Sequence, residues 1–175
     1  MTEKRALRLR LRAARAAFAP RAITMPDALR ERLAPGVVIA AYVPIGGEVD
    51  PAPLLAVARA AGCTIALPHV VDRATPLRFL DAAGMLGDGP FGLRQPAADA
   101  AVLVPDIILT PLVGFDRRGN RLGQGAGHYD RAFAALPEAW RVGVALAVQE
   151  TDDIAADPWD MPLHAIATDQ EWIIP

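Results

Sequence analysis

The stretch RLGQGAGHYDR, Arg121 to Arg131, concentrates residue types that handle anions. Gly123, Gly125 and Gly127 alternate, so the backbone there can take unusual torsions and approach a ligand without side-chain obstruction. A helix beginning just after them would turn its first amides and positive dipole end toward the same space, which suits phosphate. Arg121 at the entry could add a charge-assisted contact, and Asp130 could hold a divalent cation bridging phosphate oxygens. The stretch is not a Walker A element, because no Lys-Ser or Lys-Thr pair follows the glycines. Nor does it have dinucleotide-fingerprint spacing, since Asp130 stands where a third glycine would fall counting from Gly125. The plainer alternative is an ordinary turn with Asp130 and Arg131 as surface charges at a helix start.

A second source of cations lies at the start of the chain. Through Arg32 there are nine Lys/Arg against three acids, a balance of +6, so the rest carries -8 of the total of -2. Residues Glu3 to Phe18 read as an amphipathic helix: Leu7, Leu11, Ala14 and Phe18 recur at spacings of three and four, with Lys4, Arg8, Arg12 and Arg15 on other faces. Lys4 and Arg8 are one turn apart and point the same way, so they can reach a phosphate-rich ligand held by the body. Most of the other arm arginines read as a solvated face. A mitochondrial transit peptide would also be Arg-rich and amphipathic, but Glu3 interrupts the pattern and no processing site follows.

Alternating strands and helices must position these groups. Helical stretches are expected at Pro26 to Leu33, at Pro51 to Ala61 with Asp50 as N-cap and Gly62 just beyond, and at Tyr129 to Leu136. Strands are expected at Val37 to Val43, Thr64 to Leu67, Leu77 to Leu80, Ile107 to Thr110, Val142 to Leu146, Ala165 to Thr168 and Trp172 to Ile174. The economical fold is α/β, one three-layer α/β/α domain over residues 1–175 with a mainly parallel or mixed sheet and the basic helix packing on the body. With 175 residues and 53% hydrophobic content, a core forms without disulfides or structural metal, and the single Cys63 reads as a buried inert thiol. No apolar run approaches the ~20 residues of a membrane span, so a cytoplasmic protein is the default. Near-zero net charge argues against a dedicated nucleic-acid binder.

Seven segments in order resemble the 5-formyltetrahydrofolate cyclo-ligase (methenyltetrahydrofolate synthetase) family. They are KRALR (4–8), YVPIGGEVDPAPLL (42–55), LPHV (67–70), FGLRQP (91–96), FDRRGNRLGQGAGHYDR (115–131), VGVALAVQ (142–149) and DMPLHAIATD (160–169). The resemblance implies a magnesium- and ATP-dependent ring closure of 5-formyltetrahydrofolate to 5,10-methenyltetrahydrofolate, with release of ADP and phosphate. It implies ATP contacts from Lys4, Arg8, Arg121, Leu122, Gly123, Gln124, Gly125, Ala126, Gly127, His128 and Tyr129. Substrate contacts fall on Arg8, Val43, Glu48, Gln124, Gly125, Ala126, Gly127 and His128, catalytic roles on Glu48, Arg121 and Tyr129, and magnesium on Asp130 and Asp160. Asp152, Asp153 and Asp157 are nearby alternatives to Asp160.

The sequence departs from the family pattern at His128, where a first of two tyrosines is frequent, and at Gln95, where glutamate is common. The expected partners are ATP and the reduced folate, with no nucleic acid, no membrane and a monomeric chain. Two other readings remain: a phosphosugar isomerase or deaminase-like enzyme on a similar scaffold, and a nucleic-acid-binding module using the basic helix.

Overall fold

The computed structural model describes residues 3–19 and 21–175. The elements in chain order are α1 (Glu3–Ala16), α2 (Asp27–Arg30), β1 (Val38–Ala40), α3 (Ala52–Ala60), β2 (Thr64–His69), β3 (Arg78–Asp81), β4 (Gly87–Asp88), β5 (Arg94–Gln95) and β6 (Val102–Leu103). They continue as β7 (Ile107–Pro111), β8 (Gly114–Phe115), β9 (Arg121–Leu122), α4 (His128–Ala135), β10 (Trp140–Val144), β11 (Ala165–Ala167) and β12 (Trp172–Ile173).

Eight strands form one mixed sheet in the order β12-β11-β10-β7-β1-β2-β3-β6. The five from β11 to β2 pair in parallel, and β12, β3 and β6 add antiparallel edges. Residues of the central strands alternate between two apolar layers, as a sheet covered on both faces requires. Ile39, Ile107, Leu109, Val142 and Val144 join Leu29 of α2 and Leu54, Leu55 and Ala58 of α3 on one face. Ala40, Ala66, Ile108 and Ile166 join Ala132 and Phe133 of α4 on the other. Cys63 is buried, as the composition suggested.

Strand β1 is shorter than its apolar run suggests. The Ala41 amide still bonds the Ala66 carbonyl at 3.0 Å, but Tyr42 and Val43 leave the sheet and line a cavity. The topology explains this. From β1 the chain builds outward through β2 and β3, then crosses to β7 on the other side of β1 and continues to β10 and β11. The carboxyl ends of β1 and β7 therefore splay at a switch in winding direction, which opens a crevice. At α3, Pro51 occupies the N-cap position, and Asp50 Oδ1 accepts the Ala52 amide at 2.9 Å from one residue further out.

Helix α1 closes the open end of this crevice. Leu11 packs with Val113, Leu122 and Ile154 in a small separate core, with Leu7 beside it. Gly114 leaves room for this seat, since a Cβ there would meet Leu11 Cδ1.

Asp116, fully buried, organises the loops behind the crevice. One oxygen accepts the amides of Arg118 and Asn120, at 3.0 and 3.1 Å, and the other accepts Asn120 Nδ2 at 2.9 Å and the Ile154 amide at 3.0 Å. The turn 116–120 is thereby tied to the segment leading to Asp157 and Asp160. Gly119 must be glycine, because a Cβ would stand 2.6 Å from the Leu163 carbonyl oxygen. Burial alone would push the Asp116 carboxyl up, yet the bonds from Asn120, Ile154 and Arg118 together hold it below its ordinary 3.8. Its stabilisation is thus present above that value and lost as pH falls through the lower folded one.

Asp116→Ala should remove about 3 kcal/mol, a fall of roughly 6–12 °C in thermal midpoint for a chain of this size. Circular-dichroism melts would check this. A second test is Gln95, which is buried and whose amide both accepts the Val70 amide at 2.9 Å and donates to the Val70 carbonyl at 3.2 Å. A carboxylate could not make the second bond, so Gln95→Glu should lower stability by roughly 1–3 kcal/mol at neutral pH in the same melts.

Candidate functional site

The crevice encloses a cavity of about 510 Å³. Its walls bring together every site residue expected from the sequence: Lys4, Arg8, Val43, Glu48, Arg121 to Asp130, and Asp160. These come from α1, the turn after β1, the glycine loop and the loop before β11, which are remote in sequence and converge on the sheet's switch point. Such crevices are where open α/β sheets bind ligands.

The inward side of α1 carries a line of cations. Lys4 Nζ lies 2.5 Å from Asp157 Oδ2 and 3.2 Å from Asp160 Oδ2. Burial would lower its pKa, but these two carboxylates outweigh burial and hold the ammonium above its ordinary 10.5. Arg8 Nε donates to the Gly123 carbonyl at 2.8 Å, which pins the glycine loop to the helix. Arg12 donates to Gln124 Oε1, and Arg15 is buried against two backbone carbonyls. Arg15 is the exception in the arm: Arg5, Arg10, Arg12, Arg21, Arg30 and Arg32 are exposed and form the solvated face expected. Arg12 and Arg15 sit one and two turns beyond Arg8 and were not separable from the surface cations by residue type. The spacing 4, 8, 12, 15 was the signal that could have found them.

In the glycine loop, Gly127 is the N-cap of α4 in a left-handed conformation, and no side chain caps the helix. The first amides of α4 thus remain available to an anion. The guanidinium of Arg121, nearly buried, pairs with Asp130 and lies 5.8 Å from the Tyr129 ring centroid and 5.2 Å from that of Phe133. Its Nε is buried without a partner among the described residues, a donor with bonding capacity unspent. Tyr129 is half-buried in the cavity wall, and burial, with the nearby Glu48 charge, raises its phenol well above the usual value. Leu122 meets the cavity, but its side chain belongs to the core under α1.

His128 accepts from Arg131 Nη2 at Nδ1, 3.2 Å away, and Arg131 in turn donates to the carbonyls of Ala126 and Arg73. Burial first, then the Arg131 charge, lowers the imidazole pKa, so the ring is neutral at pH 7. The ring braces the loop through Arg131, a contact made by imidazole nitrogen rather than by a tyrosine hydroxyl.

Glu48 ends the PIGG turn. Its Oε1 accepts Gln124 Nε2 at 3.1 Å and its Oε2 accepts the Ile45 amide at 3.2 Å. Burial raises the carboxyl above its ordinary 4.5, opposed in part by those two bonds and by the Arg15 charge. Tyr42, which the sequence did not single out, braces the same turn from beneath by donating to the Val49 carbonyl at 2.6 Å.

Asp130 and Asp160 both face the cavity, and Asp157 joins them. Among the described residues no three acid, His or Cys side chains gather as a metal cage. Asp130 Oδ1 is engaged by Arg121, and Asp160 Oδ2 by Lys4 and by the Asp157 amide at 2.8 Å. The second oxygen of each makes no hydrogen bond among the described residues. One or two such carboxylates suit a magnesium ion that takes its remaining ligands from phosphates and water.

The profile of the 5-formyltetrahydrofolate cyclo-ligase family matches residues 1–169. A 5-formyltetrahydrofolate cyclo-ligase of Mycolicibacterium smegmatis is 32% identical over 149 residues, covering 79% of this chain and 77% of its own. One from Haemophilus influenzae is 36% identical over 100 residues, and there the chain spans about half of its relative, 51% of each. The solved 5,10-methenyltetrahydrofolate synthetase of Aquifex aeolicus superposes with a TM-score of 0.77 at 27% identity, covering 99% of this chain and 93% of its own. Sequence and fold agree over nearly the whole length, and the chain belongs to the 5-formyltetrahydrofolate cyclo-ligase family.

Proposed function

We propose that residues 1–175 work as one catalytic unit carrying out ATP-dependent conversion of 5-formyltetrahydrofolate to 5,10-methenyltetrahydrofolate, with release of ADP and phosphate. The observation that carries this reading is a single cavity lined at once by a cationic helix face, an uncapped helix N-terminus and a partly buried carboxylate. The phosphosugar and nucleic-acid alternatives find no support in the family comparison. Lys4 and Arg8 line the cavity, Arg15 is buried against backbone carbonyls, and Arg12, though exposed, donates to Gln124 of the glycine loop. No helix among the described residues is long and apolar enough to cross a membrane. A monomer in the cytoplasm, binding no nucleic acid, completes the reading.

A formamide carbonyl is a poor electrophile, and its oxygen must leave as something better than hydroxide. The formyl oxygen attacks the γ-phosphorus of ATP and ADP departs. Folate N10 then attacks the activated carbon and loses its proton, closing a five-membered ring, and inorganic phosphate leaves with the original oxygen. Lys4, Arg8 and the first amides of α4 hold and neutralise the phosphates, and the Arg121 guanidinium adds charge near the loop. Gly123 to Gly127 let both ligands approach the backbone. Val43 and His128 wall the folate, Glu48 orients it by hydrogen bonding, and Tyr129 fixes the position of Arg121. Asp130 and Asp160 are the residues that would hold magnesium, which when bound supplies further charge neutralisation on the phosphoryl oxygens.

Incubating the protein with 5-formyltetrahydrofolate and magnesium ATP should give the near-ultraviolet absorbance of the methenyl product. No ATP-dependent product at ample enzyme would contradict the assignment. Lys4→Ala or Arg8→Ala should raise the KM for ATP roughly 10- to 100-fold, the equivalent of one lost charge-assisted bond, and leave that for folate far less changed. Because Glu48 must be ionised, kcat/KM for folate should fall on the acid side with a midpoint above 4.5, and Glu48→Gln should weaken folate use and abolish that limb. A pH profile that is the same in wild type and variant would remove Glu48 from the site.

A further inference from the structure

Leu11 and Arg15 are the two buried residues of α1, and Arg15 is the one that carries a charge. It is 6% exposed, and no carboxylate lies within ion-pair distance among the described residues. Burying a cation without a counter-ion is unfavourable unless its donors are satisfied. Here the fork is spent on two backbone carbonyls: Nη2 donates to Gly46 at 2.6 Å and Nη1 to Leu112 at 3.3 Å.

Those carbonyls belong to the two lips of the crevice. Gly46 lies in the turn after β1 that presents Glu48, and Leu112 directly follows β7. The Leu112 carbonyl also accepts Gln149 Nε2 at 2.8 Å, so this lip is fixed independently. The turn itself is closed by local bonds, Glu48 amide to Ile45 carbonyl at 3.1 Å and Ile45 amide to Glu48 Oε2 at 3.2 Å. Local bonds set the shape of a turn but not its place relative to the cavity. Beside the Gln124 bond to Glu48 and the Tyr42 bond to Val49, Arg15 adds the tie that reaches from α1 and holds the turn against the end of β7.

We infer that Arg15 is a positioning residue for folate use: its guanidinium clamps the Gly46 carbonyl to the end of β7 and thereby sets where the Glu48 carboxylate stands in the cavity. This rests on the assignment of Glu48 to the folate. The same helix then serves both ligands, with Lys4 and Arg8 toward the nucleotide and Arg15 toward the folate turn. A planar two-point donor is required, because a lysine ammonium reaching Gly46 has no fixed fork to span to Leu112.

The test measures KM for 5-formyltetrahydrofolate and for ATP, with thermal midpoints, in the full chain and in Arg15→Met, Arg15→Lys, Arg5→Ala and Glu48→Gln. Arg15→Met should raise the folate KM by ~10-fold or more, since small misplacements at a site carry effects of that size, with ATP KM within about twofold. Arg15→Lys should fall between wild type and Arg15→Met. Arg5→Ala removes an exposed charge from the same helix and should change neither KM. A purely architectural role for Arg15 would lower the thermal midpoint and leave both KM values unmoved or move them alike, and either result overturns the proposal. If Arg15→Met does not fold, Arg15→Lys decides: a rise in folate KM alone supports the clamp, and no rise overturns it. An unchanged folate KM in Glu48→Gln would instead reject the folate assignment of the turn, separately from the clamp.

Discussion

The seating of Leu11 in the small core beneath α1 is the contact that places the helix on the body. Without a side chain at Gly114, Leu11 reaches the small core of Val113, Leu122 and Ile154, and α1 lies across the open end of the crevice. Helix periodicity does the rest, because residues 4, 8 and 15 then face the body together, with Arg12 at the exposed margin. A helix of this length with so many cations has little reason to stay on the body through its charges alone. Exposed ion pairs are worth at most about 1 kcal/mol each, whereas burial of one leucine is worth roughly 1.5–3 kcal/mol. Hydrophobic seating therefore fixes the helix, and the polar bonds fix what it presents.

The uneven charge of the chain takes on a structural meaning from this geometry. The basic start and the acidic remainder meet directly where Lys4 lies against Asp157 and Asp160. Arg121 and Asp130 repeat the arrangement on the other wall. The cavity thus holds cations and acids already paired, and a bound magnesium nucleotide would exchange partners with them: phosphates for the acids around the cations, metal for the cations around the acids. Such exchange leaves fewer uncompensated charges than a site built from one sign alone.

Much of this was legible in the residue order. The alternating glycines before a helix start, the Lys4 and Arg8 spacing and the strand-helix alternation all depend on local periodicity, which a sequence displays. Other features were hidden because they depend on neighbours distant in the chain. Asp116 reads as an ordinary turn residue until Ile154 is placed beside it. Arg15 shares its residue type with the solvated arginines, and although its spacing puts it on the Lys4 and Arg8 side, its burial follows from where the turn at Gly46 lies. The early end of β1 comes from the sheet's change of winding direction at β7, which the apolar run Val37 to Val43 does not encode.

The central claim is that α1 completes one site in which nucleotide and folate meet, and a crystal structure with 5-formyltetrahydrofolate and a non-hydrolysable magnesium nucleotide tests it most directly. The account predicts the terminal phosphate between Lys4, Arg8 and the first amides of α4, with the folate ring system beside Glu48 and its formyl oxygen facing that phosphate. A nucleotide bound away from α1, or a folate that makes no contact with the Glu48 turn, would contradict it.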